Sequence, residues 1–100
     1  MTWKLSRAAE EDLIEIWLYG AKHHGPAQAD RYQDSLESAF SLLSQFPDLA
    51  RERNELTPSL EVHPFGAHLI LYFVRPTGSI FVVRVRHARE DWMSEPLPFQ

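Results

Sequence analysis

What most constrains this chain is a change of hydrophobic period part-way along it. Up to residue 46 the apolar side chains recur every three or four positions. From residue 60 onward they come in short, nearly continuous runs. The first pattern is that of helices with one buried face, the second that of β-strands. Ala9, Leu13, Ile16, Trp17 and Gly20 share one face of a helix expected over about 7–23. Ser6 is placed to cap it, and Glu10, Glu11 and Asp12 sit in its first turns, where the helix dipole favours acids. "HHGP" ends it, Gly25 stopping one helix and Pro26 opening the next. Ala29, Tyr32, Leu36, Phe40, Leu43 and Phe46 then form the stripe of a second helix over about 26–45, which Pro47 stops.

So short a connection makes the two helices an antiparallel hairpin. "TWKLS" before them reads as a short first strand, and residues 47–59 as a polar connection. "LEVHPF" (60–65), "GAHLILYFVR" (66–75) and "SIFVVRVRH" (79–87) read as three strands, the last two joined by a turn at "PTG" (76–78). The 66–75 strand is a nearly continuous apolar run and is expected to be central, buried on both faces. In the last strand, strict alternation puts Phe81, Val83, Val85 and His87 on one side. Ile80, Val82, Arg84 and Arg86 fall on the other, an open sheet face. The fold class is α+β: β-α-α-β-β-β, with the antiparallel helical hairpin packed on a small, mainly antiparallel sheet.

One hundred residues with 44% hydrophobic content are enough for a single domain, expected over 1–93, with a proline-broken tail at 94–100. There are no cysteines, which excludes disulfides and thiolate metal sites and suits a cytoplasmic protein. The longest apolar run, "LILYFV", is far short of the roughly 20 residues that span a bilayer, so no membrane association is expected. The first fifty residues hold four Lys/Arg against eight Asp/Glu, a balance of −4, and the second fifty are balanced, every basic residue there being Arg. With a pI near 5.7, the chain lacks the basic stripe that tracks a phosphate backbone, so direct nucleic-acid binding is not expected.

His87, with Arg84, Arg86 and Arg89 around it, offers groups that a ribonuclease working by 2′-hydroxyl attack requires: a base, an acid and cations to steady a phosphorane. The competing reading has His87 closing a core strand and bonding backbone or Asp91. Ala88 supplies no second acid–base group, so the structural reading is preferred and no catalytic residue is expected. His23 and His24 diverge by ~100° on a helix and do not share a metal. His63 and His68 flank a turn and could approach across strands, but no carboxylate or cysteine with ligand spacing accompanies them, so neither metal nor cofactor is expected. Glu10, Glu11 and Asp12 read as a solvated first turn, Trp3 and Trp17 as core, and Trp92 as either a lid on the sheet or an anchor for a partner.

"ELTPSL" (55–60), "GAHLILYFV" (66–74) and "VVRVRHAREDW" (82–92), in that order after the helical hairpin, resemble the ParE toxins of the RelE/ParE toxin–antitoxin superfamily over residues 3 to 92. Glu61 stands where the family usually has arginine, and Phe65-Gly66 where it has Tyr-Gly. The resemblance implies a type II toxin that inhibits DNA gyrase and is neutralised, in a hetero-oligomer, by a ParD-like antitoxin with a ribbon-helix-helix half. On this reading Arg84, Arg86, His87, Arg89 and Trp92 contact gyrase, and Leu13, Trp17, Tyr32, Leu36, Phe40, Phe65 and Leu69 contact the antitoxin. RelE-like sister families cut mRNA on the ribosome, which is the alternative. The acidic balance, with Glu90 and Asp91 directly after Arg89, favours the gyrase reading. Glu61 leaves a third: a module member that binds antitoxin without toxicity.

Overall fold

The computed structural model describes residues 3–46, 51–53 (backbone only) and 60–89. The order is β1 (Trp3–Leu5), α1 (Arg7–His24), α2 (Pro26–Gln45), β2 (Arg51–Arg53), β3 (Leu60–Phe65), β4 (His68–Val74) and β5 (Ile80–His87). The strands form one sheet in the order β1-β5-β4-β3-β2. β1 runs parallel to β5 and every other pairing is antiparallel. The helical hairpin packs on one face, so the α+β architecture expected from the period change stands. The three-residue β2 is an addition inside what reads in sequence as a plain connection.

Ser6 caps α1 through its Oγ, which accepts from Ala9 N at 2.9 Å. Gly25 closes α1 and opens α2 by itself, a one-residue connection held at φ 93°, in the region glycine enters without steric penalty. From α2, Leu36, Phe40 and Leu43 are wholly buried against Ile70, Tyr72, Ile80, Val82 and Val85 of the sheet. Each such side chain contributes roughly 1.5–3 kcal/mol by leaving water. Leu60, Val62 and Leu71 form a second cluster, which Leu69 and Phe73 extend. β4 is therefore buried on both faces, as its unbroken apolar run predicts.

The alternation expected for β5 does not hold along its length. Tyr72 pairs with Val82 and Leu71 with Arg84, leaving Val83 as an extra residue. This is a β-bulge, and it shifts every later side chain by one position. Val82 and Val85 consequently join the same helix-side core, although strict period-two counting separates them.

β1 pairs with β5 only as far as Val82. Beyond it, groups at the start of α1 take over the edge. Ser6 N donates to Val82 O at 2.9 Å, Ser6 Oγ donates to Val83 O at 2.6 Å, and Val85 N donates to Asp12 Oδ2 at 3.0 Å. An edge left with bare N–H and C=O groups invites further strands; here side chains occupy it.

Candidate functional site

The helices and the far ends of β4 and β5 enclose a groove of about 660 Å³. Glu15, Ile16 and Tyr19 of α1 form one wall, Ala29 and Tyr32 of α2 another, and His68, Arg86 and His87 line the strand side. The volume lies within the range of sites that take a small ligand or a partner's side chains.

Asp12 organises one side of it. The residue is 5% exposed, so it is not part of a solvated first turn. Its carboxylate accepts from Arg84 Nε at 2.7 Å and Arg84 Nη2 at 2.8 Å, a bidentate geometry that adds specificity as well as energy. Arg86 Nη1 lies 3.5 Å from Asp12 Oδ1. The two arginines expected on an open sheet face are thus gathered around one buried acid. They meet α1 at the edge of β5 beyond β1, where Val85 N also bonds Asp12.

The strand side carries a tyrosine and two imidazoles. The Tyr32 hydroxyl lies 2.7 Å from His68 Nδ1 and 3.4 Å from Phe65 O. Burial pushes the Tyr32 phenol above its usual range, with a backbone hydrogen bond at Ala67 pulling the other way. The His68 and His87 rings meet edge-on, 5.5 Å between centroids. His87 Nδ1 accepts from Arg89 N at 3.1 Å, which puts the proton of the neutral ring on Nε2. Tyr32 packs tightly on the β3–β4 turn: a Cβ at Gly66 would lie 2.8 Å from its hydroxyl.

The sequence-based assignments separate accordingly. Arg86, His87 and Tyr32 line the groove; Arg84 is turned to Asp12; Arg89 is exposed; Trp92 lies outside the described residues. Leu36 and Phe40, expected to meet an antitoxin, are 0% exposed and belong to the core instead, because the sheet covers that face of α2. Leu13 and Phe65 pack partly buried against the same core, and Leu69 packs with the second cluster. Trp17 is half-buried, its Nε1 donating to Asp30 at 2.8 Å. His63 pairs with Ile70, whereas His68 pairs with His87, so the histidines that meet are not the two flanking the turn. Among the described residues no group of three His, Cys, Asp or Glu could hold a metal ion, and no helix is long and apolar enough to cross a membrane.

Sequence reasoning missed Asp12 and Glu15 as groove residues, and did not see that His68 joins His87. Asp12 left a signal: it lies three residues after Ala9 and four before Ile16, on the apolar face. A carboxylate there requires a cationic partner.

A helical hairpin on one face of a mixed sheet, with a groove at their junction, is the architecture that frames the candidate site. It superimposes on a chain of "Chromosomal ParDE TA system from P. aeruginosa" with a TM-score of 0.71 and 19% identity, covering 87% of this chain and 95% of that one. The family model described as "ParE toxin of type II toxin-antitoxin system, parDE" matches residues 3–92, and the chain belongs to that family. It is similar to Toxin ParE1 of Mycobacterium tuberculosis (strain CDC 1551 / Oshkosh), 36% identical over 87 residues, covering 87% of this chain and 89% of the relative. It is also similar to Toxin ParE1 of Caulobacter vibrioides, 27% identical over 85 residues, or 85% of this chain and 86% of that one.

Proposed function

We propose that this ParE-family toxin acts by binding DNA gyrase and halting replication, without catalysis of its own, and that a ParD-like ribbon-helix-helix antitoxin neutralises it. The observation that carries the reading is the family match over residues 3–92. The site is consistent with it. Arg84 and Arg86 share the charge of Asp12, and Glu15 lines the same groove, so the region is poorly suited to neutralising a phosphate backbone. The groove, with Tyr32 and neighbouring Phe65 on its hairpin side, is offered as the antitoxin's seat. Arg86, His87, Arg89 and Trp92 are offered as the gyrase-facing end, with Arg84 as their support.

The test is plasmid supercoiling by purified gyrase with and without the protein, scoring linear DNA after protein digestion. Lost supercoiling with accumulating linear DNA is the expected result. A second reading, mRNA cleavage on the ribosome, draws on one observation: the Tyr32–His68–His87 cluster puts possible acid–base groups beside Arg86. Unaffected gyrase together with ribosome-dependent mRNA cutting that His87→Ala abolishes would establish that reading instead. Neither activity, with antitoxin binding retained, would mark a non-toxic module member.

A further inference from the structure

Side chains alternate between the two faces of a strand, and β4 shows both. Ile70 and Tyr72 enter the core under the helical hairpin, while Leu69, Leu71 and Phe73 turn to the opposite face and pack with Leu60 and Val62 of β3. Phe81 of β5 stands across from Phe73, with the Arg75 guanidinium 4.6 Å over its ring. An antiparallel sheet can leave one face to water, and side chains there keep part of their surface open. Leu60, Val62 and Leu71 are instead 1%, 5% and 0% exposed. Among the described residues the helices cover the other face, and no element lies over this one.

The cover comes from the rest of the chain, and reach narrows the choice. Residues 54–59 join Arg53 to Leu60, which are paired across β2 and β3, so this loop goes out and back within roughly 10 Å. It holds one large apolar side chain, Leu56, at the Leu60 end of the patch. Residues 47–50 are taken up in linking α2 to β2, at one edge of the sheet, and residues 1–2 lead into β1, at the other edge. Residues 90–100 follow β5, the strand beside β4, and carry Trp92, Met93, Leu97 and Phe99. Eleven residues extend to roughly 36 Å, whereas β5 lies about 10 Å from β3. Pro96 and Pro98 alternate with Leu97 and Phe99. Proline fixes φ and offers no N–H, which suits an extended segment laid across side chains better than one added to the strand ladder.

We propose that the chain beyond Arg89 folds back over the sheet face opposite the helices, seating Leu97 and Phe99 on the patch formed by Val62, Leu69 and Leu71. The strap closes that face to other molecules, so partners meet the hairpin side and the groove. The patch lies on the opposite face from the helix-side core, and the proposal does not depend on the toxin's target.

The experiment is photo-crosslinking of the full chain carrying Phe99→p-benzoylphenylalanine, at a concentration where it is monomeric, with the joined peptides mapped by mass spectrometry. The expected result is a crosslink within one chain to residues 60–73. A companion measurement adds an apolar-surface dye to the full-length double variant Leu97→Ser with Phe99→Ser, with circular dichroism confirming that it is folded. Its dye fluorescence should rise about twofold or more over the unmodified chain. Crosslinks to α1 or α2, crosslinks only between two copies, or none at all overturn the proposal. So does a folded double variant that binds no more dye than the unmodified chain, which would assign the cover to residues 54–59.

Discussion

The carboxylate of Asp12, early in α1, is gripped by both nitrogens of the Arg84 fork, at 2.7 and 2.8 Å, across 72 residues of chain. That pair ties the helical hairpin to β5, and Val85 N adds a third bond to the same carboxylate. Asp12→Ala leaves a guanidinium and a backbone N–H without their acceptor. It should cost about 3–5 kcal/mol of unfolding free energy. Arg84→Ala should be comparably harmful, and Asp12→Leu combined with Arg84→Met should recover much of the loss. Urea unfolding of the four proteins checks this.

The same geometry divides the residues assigned to target contact. Arg89→Ala, at an exposed position, should change stability by no more than about 0.5 kcal/mol while abolishing gyrase inhibition. Arg84→Ala should lose inhibition only in proportion to the fraction unfolded. Supercoiling assays run beside unfolding curves separate the two.

Ser6 has two duties, as helix cap and as donor to the Val83 carbonyl. Ser6→Ala removes both and leaves a buried carbonyl short of its donor. A loss of about 2–3 kcal/mol is expected; Ser6→Thr, which keeps the hydroxyl, should lose less.

At Gly66 two obstacles coincide: φ is +55°, and an added Cβ would press on the Tyr32 hydroxyl. Gly66→Ala should destabilise by about 1–3 kcal/mol, and by less in a Tyr32→Phe background, where the closest atom is gone. Gly25→Ala, strained in φ but with open space for the Cβ, should show no such coupling.

Among the described residues, Tyr32 and His63 make stability depend on pH. Burial holds His63 below its ordinary 6.5, so the unfolded chain binds that proton more tightly. Stability is then complete above about 6.5 and falls as pH drops through it toward the folded value. Tyr32 is raised above its ordinary 10.0; its share is complete below about 10 and is lost as pH rises through the folded value. His63→Gln should flatten the acid limb and Tyr32→Phe the alkaline one, measured by melting temperature against pH.

Much of this fold is legible in sequence because apolar spacing reports which face of an element is buried. The helices expected over 7–23 and 26–45 run Arg7–His24 and Pro26–Gln45. What escaped was what spacing does not encode. β2 is the polar triplet Arg-Glu-Arg with no apolar signal. The bulge at Val83 arises from cross-strand register, and it undid the facing assigned to the end of β5. The burial of Asp12 depends on a partner 72 residues away. The candidate site sits where these three-dimensional effects meet, which is why its histidines and tyrosine were seen one by one and not as a cluster. "ELTPSL" up to Ser59, Trp92 and the 94–100 tail lie outside the described residues.

The pairing of β1 with β5 carries a consequence for the order of synthesis. The opening strand and Ser6, the cap of the first helix, both wait for partners that the ribosome makes some 77 residues later, among Ile80 through Val85. A nascent chain that stops short of them has its hairpin but no clasp, and neither Arg86 nor His87 to present. The strand side of the groove therefore exists only once His87 has been made.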